Sequence, residues 1–445
     1  MAGSVFDSQI YGGLFSSGEA SRLFSDSAEV RAMLLVEGAL AKAQGEAGVI
    51  PQDSAAAIGR AVVEIAVDPG VLKRPAEQNG VPVPGLVAAF REEMKAPEHA
   101  QYVHWGATSQ DIMDSALMLR LRQALALVEA DVKAAILSLG ELAKAHAELP
   151  MAARTYGQHA TPTSFGAVAA AWGTPLLNLL KELPGLRKSC LMVSLSGAAG
   201  TSSALGPQAA EVRAAMASGL ALQDPGRSWH TDRTPVLRIA DWLLRVSLAF
   251  GKIGEDCTAL AQSGVQEISL GGAGASSTMP QKQNPVSPSV LAALARQGSG
   301  LFSVLQGASL QQHQRDGAAW FTEWMCLPQI VLGAAAAAKT GKELCAGISP
   351  RTEAMAAAVS AGLGLIHAEA LSFALAAQMP RPDAQAAVKT LCQEAQASQT
   401  PLRDLVARDY PDLDTDALFD LARQMGHAPW EALQFSKKTD SLRNP

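Results

Sequence analysis

Between Gly271 and Pro285 the chain reads Gly-Gly-Ala-Gly-Ala-Ser-Ser-Thr-Met-Pro-Gln-Lys-Gln-Asn-Pro, a stretch whose residue types suit work on an anion. Gly264 to Gly274 mixes small and polar residues, the composition of a mobile loop. Asn284-Pro285 then opens a helix, with an amide cap ahead of a proline at the first helical position. A glycine-serine loop running into a helix N-terminus collects backbone N–H donors and the positive end of the helix dipole. Lys282 adds a full positive charge within reach of Ser276 and Ser277. A serine hydroxyl is a weak acid, so its use in proton transfer requires surroundings that stabilise its alkoxide, and this segment supplies them. A phosphate cradle is the competing reading, but neither GxGxxG nor GxxxxGK[ST] is present.

A second candidate is His104-Trp-Gly-Ala-Thr-Ser-Gln-Asp111. Thr108 and Ser109 followed by Asp111 make a good helix start, so capping alone would account for them. His104, in the adjoining loop, is the kind of side chain that titrates near neutrality. The eight histidines show no HExxH spacing, and the five cysteines are scattered without a CxxC. Reduced, buried thiols and no metal site are the expectation.

Ser276 to Pro285 resembles the signature loop of the fumarase/aspartase superfamily, GSSxMPxKxNP, with Ala275 in place of the first glycine. His104 to Asp111 is similar to that superfamily's first conserved region, where a Thr-Ser pair meets a substrate carboxylate. Arg154-Thr-Tyr-Gly-Gln-His-Ala-Thr-Pro162 resembles its R-T-H-x-Q-x-A segment, but Tyr156 stands where the lyases carry histidine and His159 follows Gln158. That departure is similar to the bacterial cycloisomerase branch, as are Trp229–Arg233, Gln312–Arg315 and Trp320–Trp324. The resemblance runs from about residue 5 to 430 and is strongest between 100 and 330.

The resemblance implies addition of a carboxylate across a carbon–carbon double bond of a muconate bearing three carboxylates, through an aci-carboxylate intermediate. Ser276 would move the proton, with Ser277 and Met279 beside it on the loop, and His159 would take part in catalysis. Lys282 and Asn284 would hold the carboxylate that becomes the aci-carboxylate. Thr108, Ser109 and Gln158 would bond the remaining oxygens, and His104, Arg154 and Arg315 would add donors or charge. No cofactor and no metal are implied. A homotetramer is implied, in which segments of three chains meet at each site and the 264–284 loop closes over substrate. A fumarate-releasing lyase is one alternative, against which the missing histidine at Tyr156 counts. A non-catalytic helical scaffold is another, against which the intact serine loop counts.

These segments need long supports. Leu117, Leu121, Leu125, Val128, Val132, Ile136 and Leu139 advance in steps of three and four, the stripe of one helix face. With no proline between Thr108 and Leu149, one helix of about 40 residues, near 60 Å long, is expected before Pro150 ends it. Such a helix needs neighbours along its length, which favours a bundle. Thr161-Pro162 and Thr234-Pro235 read as helix starts, Val236–Ala261 as a long amphipathic helix, and 290–327 as another, weakened by Gly298, Gly300, Gly307 and Gly317. Shorter helices are expected around Val30–Gly45, Ala55–Val67 and Val83–Met94, and again after about residue 355, where prolines recur. The fold is read as all-α in three helical regions, 1–105, 106–355 and 356–445, the central long-helix bundle forming the core of the implied tetramer.

Composition agrees. The 445 residues are 48% hydrophobic, 18% charged and 5% aromatic, a balance that favours helix over strand. A net charge of −6 argues against nucleic-acid binding, which needs a concentrated basic face. No run of about 18 uncharged apolar residues suggests a membrane span. The N-terminus has no basic region leading into an apolar one, so a cytoplasmic protein is expected. A trianionic substrate would have to find a local basic pocket on this acidic chain.

Overall fold

A computed structural model of the chain describes residues 3–272, 274–275, 279 and 282–443. The fold is all-α. Among the described residues six helices exceed 20 residues: α1 (Asp26–Glu46), α2 (Ser109–Ala145), α3 (Phe165–Cys190), α4 (Thr234–Ala261), α5 (Val286–Gly307) and α6 (Gly317–Gly347). The strands form three short antiparallel pairs: β1 (Pro150–Thr155) with β2 (Gln158–Ser164), β3 (Ile268–Ser269) with β6 (Ser349–Pro350), and β4 (Gly274–Ala275) with β5 (Gln283–Asn284). The chain divides into two compact units, each drawn from three stretches. The first comprises Met1–Ala130, Leu179–Leu248 and Ala293–Lys339, the second Asp131–Asn178, Ala249–Ala292 and Thr340–Pro445.

In the first unit Leu121, Leu125 and Val128 of α2 are fully buried, as the stripe requires. Trp242 of α4 is buried with them, and its indole N–H donates to the Leu179 carbonyl at 2.9 Å. Ser25 caps α1 through its hydroxyl, which accepts from the Ala28 N–H at 3.3 Å. In the second unit the stripe continues through Val132, Ile136 and Leu139. There α4 and α6 approach so closely that a Cβ on Gly341 would lie 2.1 Å from the Phe250 ring. Any larger residue at 341 would force these helices apart.

The helix α2 runs to Ala145, 37 residues and roughly 55 Å, close to the expected length. Three expectations about local structure need correction. Thr161-Pro162 does not start a helix. Tyr156 and Gly157 both take left-handed φ (53° and 75°), the two-residue turn whose twist matches paired strands, and the chain folds into the β1–β2 hairpin. Pro162 lies opposite Ala152, and α3 starts only at Phe165, with the Ser164 hydroxyl accepting from the Ala167 N–H at 2.9 Å. The 290–327 stretch is two helices, broken at residues 308–316 between α5 and α6. Finally, the 264–274 segment is anchored in its first half. Glu267 and Ile268 are buried, β3 pairs with β6, and the Gly271 backbone packs against Gly347.

The helix α6 suits a membrane span in length and in mean hydropathy, 1.2 over its most apolar window, yet 61% of that window is buried inside the fold. Ala334 and Ala336–Ala338 have no exposure at all, so the apolar run is used for close helix packing.

Cys190, Cys257, Cys326 and Cys345 are buried and Cys392 is half-buried. Burial pushes all five thiols up, Cys257 to about 12. The thiolate is the reactive form, so the native protein should react slowly with a disulfide reagent at pH 8, Cys392 first. Five rapid equivalents should appear only in denaturant. Several fast thiols in native buffer would contradict this burial.

Candidate active site

The start of α2 is organised by a carboxylate. Asp111, with 0% exposure, accepts from the Thr108 and Gly197 backbone N–H groups through Oδ2 (3.0 and 2.9 Å). Through Oδ1 it accepts from the Ser196 N–H (2.9 Å) and the Ser194 hydroxyl (3.1 Å), and His230 Nε2 lies 2.8 Å from the same oxygen. One buried side chain thus ties the helix start, the 194–197 segment and His230 together. Thr108 and Ser109 sit half-buried above it at the N-terminus of a 37-residue helix, where donors and dipole favour an anion.

The neighbouring Gln110 is also buried. Its amide N–H2 donates to the His230 carbonyl (2.9 Å) and to Asp114 Oδ2 (3.2 Å), and its Oε1 accepts from Arg315 Nε (2.9 Å). Arg315 lies in the 308–316 connector, is exposed, and donates a second bond to the Ala198 carbonyl at 3.2 Å. Sequence reasoning placed Arg315 at the site but passed over Gln110.

Arg233 does not reach solvent. It makes bidentate pairs with both Asp114 (2.8 and 2.9 Å) and Glu323 (2.9 and 2.7 Å) and lies 4.9 Å over the Trp229 ring. Burial opposes its charge, but the two carboxylates outweigh burial and hold its pKa above the ordinary value. Burial pushes Glu323 upward, with Arg233 offsetting only part of that rise. Arg233 is therefore a structural element, and no local sequence signal pairs it with residues 90 and 119 positions away.

His104 takes a left-handed φ of 63° and its Nδ1 lies 2.6 Å from Oε1 of the buried Glu37 on α1. Gln44, about two turns further along the same face of α1, donates to the Trp105 carbonyl at 2.7 Å. The turn that follows is closed by Gly106, where a Cβ would lie 2.7 Å from the Leu205 side chain.

In the second unit the β1–β2 hairpin carries the other candidates. Thr155 through His159 are all exposed and Tyr156, at 105%, is fully so, which presents Gln158 and His159 outward from the chain. Arg154 turns the other way. Its guanidinium donates two bonds to Glu267 (2.6 and 2.9 Å), whose own exposure is 0%. The Arg351 N–H donates to the Glu267 carbonyl at 2.8 Å. The hairpin is thereby tied to the segment leading into the serine loop.

That loop is bracketed by the β4–β5 pair, which sets Gly274 opposite Asn284 and Ala275 opposite Gln283. Lys282 and Met279 are exposed, Asn284 is half-buried, and the Lys282 N–H donates to the Met279 carbonyl at 3.0 Å. Ser276 and Ser277 lie outside the described residues. Helix α5 begins just beyond, at Val286, as the Asn284-Pro285 pair led one to expect. Among the described residues no group of three or more His, Cys, Asp or Glu is placed to hold a metal ion.

A long-helix fold with an anion-favouring helix start places the chain among all-α proteins, and comparison with known proteins defines the class. A family model described as lyase matches residues 16–300. A 3-carboxy-cis,cis-muconate cycloisomerase of Pseudomonas aeruginosa is 37% identical over 431 residues, covering 94% of this chain and 94% of that one. A nitrosuccinate lyase of Streptomyces davaonensis is 33% identical, covering 96% of this chain and 94% of that one. The solved 3-carboxy-cis,cis-muconate lactonizing enzyme of Pseudomonas putida superposes with a TM-score of 0.90 at 33% identity, over 98% of this chain and 100% of that one. The chain belongs to this lyase family, the fumarase/aspartase superfamily.

Proposed function

We propose that the chain is a cofactor-independent cycloisomerase that converts 3-carboxy-cis,cis-muconate to 4-carboxymuconolactone. The observation that carries this reading is similarity along nearly the whole chain to enzymes of that name, in sequence and in fold. In the reaction one substrate carboxylate oxygen adds to the chain's own double bond, forming the ring C–O bond. The displaced π electrons move onto the adjacent carbon and its carboxylate as an aci-carboxylate, and a proton then goes to that carbon. Most of the catalytic demand is to stabilise this charge as it forms.

Ser276 gives the proton, and in reverse its alkoxide takes it back. Lys282 and Asn284, at the foot of the loop, hold the aci-carboxylate, with Met279 and Ser277 against the substrate. Thr108 and Ser109 offer the α2 N-terminus to a second carboxylate, and Arg315 meets the third with the planar fork that suits it. Gln158, His159 and His104 complete the donors, while Arg154, paired with Glu267, positions the hairpin. Their donors and positive charges are what an acidic protein needs to attract a trianion. The reading includes a cytoplasmic homotetramer, in which the exposed hairpin tip of one chain serves a site on another.

A second reading, favoured by the similarity to a nitrosuccinate lyase, keeps the same loop but has Ser276 remove a proton beside a carboxylate while a neighbouring group leaves. Purified protein offered 3-carboxy-cis,cis-muconate, cis,cis-muconate, adenylosuccinate and nitrosuccinate separately distinguishes them. Loss of diene absorbance with the tricarboxylate is expected. Turnover of nitrosuccinate or adenylosuccinate alone would overturn the cycloisomerase assignment.

A further inference from the structure

We infer that Gln110 is a positioning residue for Arg315, fixing the guanidinium that receives a substrate carboxylate. The inference rests on the function just proposed. Arg315 stands in an irregular connector and is exposed, circumstances that leave a long side chain many rotamers. Two contacts restrict it, to Gln110 Oε1 and to the Ala198 carbonyl, and of these acceptors only Gln110 is buried, at 2% exposure.

The orientation of the Gln110 amide is determined by its partners. The His230 carbonyl can only accept and Asp114 is held as an acceptor by Arg233, so the N–H2 faces them and Oε1 must face Arg315. Asp114 cannot drift, because both its oxygens are bonded to Arg233, which is itself locked by Glu323. A buried line of alternating charge, Glu323–Arg233–Asp114, therefore reaches Arg315 Nε through the neutral Gln110 amide. Among the described residues the Nη1 of Arg315 has no partner. The end-on edge of the fork, Nη1 with the second Nη2 hydrogen, is the edge that grips a carboxylate in two bonds.

Glutamine is the residue this geometry calls for. Asparagine would draw the acceptor back from Arg315 by one methylene. Glutamate would keep the acceptor but lose both donors and set a second carboxylate beside Asp114.

The test is a double-mutant cycle of Q110M and R315Q, read by steady-state kinetics on 3-carboxy-cis,cis-muconate and by thermal melting. Q110M is expected to raise KM about tenfold with kcat changed less than about threefold, and to change KM less than about twofold when R315Q is already present. An unchanged KM in Q110M, or effects that multiply independently in the double variant, would overturn the inference. A merely structural role would lower the melting temperature in both backgrounds and leave KM alone. Should Q110M fail to fold, Q110N carries the same cycle. If the wild-type protein turns over nitrosuccinate instead, the proposed function fails, while the cycle run on that substrate's KM still decides the role of Gln110.

Discussion

Replacing Ser276 with alanine is expected to lower kcat by about a thousandfold or more, with the melting temperature unchanged. A positioned proton donor contributes roughly 10²–10⁴ in rate, and in the proposed mechanism the same hydroxyl serves as acid in one direction and as alkoxide in the other. The described surroundings support that role. Lys282 is exposed at the foot of the loop, the β4–β5 pair brackets the loop, and the α5 N-terminus begins two residues after Asn284. Removing one hydroxyl from a glycine- and serine-rich loop deletes no apolar core volume, so stability should not move. Ser277→Ala is the comparison, and its loss should be smaller. Measured kcat for Ser276→Ala within about tenfold of wild type would transfer the proton role elsewhere.

The largest effect on stability is expected from Arg233→Met. This change leaves Asp114 and Glu323 buried without their common cation, and breaking a buried pair from one side costs about 3–5 kcal/mol. The penalty should depend on pH with a definite sign. Burial already pushes Glu323 up, and without Arg233 nothing offsets that rise. A carboxylate whose folded pKa lies above its unfolded value binds more protons folded than unfolded, so stability falls as pH rises through that range. The variant should therefore be relatively less destabilised at pH 5 than at pH 8 in thermal melts. Adding Glu323→Gln should recover part of the loss. A variant as stable as wild type at both pH values would show that the three charges are not mutually dependent.

The parts of this fold legible in the sequence are those set by local periodicity. The Leu117-to-Leu139 stripe predicts α2 because each of its members faces one direction on a 3.6-residue repeat, and all of those from Leu121 on are fully buried. The β1–β2 hairpin escaped notice because Thr161-Pro162 also satisfies a helix start. The better signal was Tyr156-Gly157, with Gly157 able to take the left-handed φ that a two-residue hairpin turn requires. The break at 308–316 was marked only by Gly307 and Gly317, two of four glycines that could each have been tolerated inside a helix. At the site, the loop, the Thr-Ser pair and Arg315 were readable as short patterns. Gln110, the Arg233 triad and the long-range bonds of Asp111 were not, because their meaning lies in partners 83 to 205 residues distant. Arg154, placed among the substrate contacts from its pattern, is bound within the chain to a buried glutamate that no local rule connects with it.

The division of the chain into units made of interleaved stretches bears on how it is synthesised. The first unit is not complete until residue 339 has been translated, and the second awaits the 340–445 stretch. By the time the first can close, two of the three pieces of the second have left the ribosome without the stretch they pack against. Apolar helix faces are thus open to solvent for most of translation, a state prone to aggregation and one that a holding chaperone would relieve. A nascent chain stalled before its last hundred or so residues is a liability to the cell rather than a smaller enzyme.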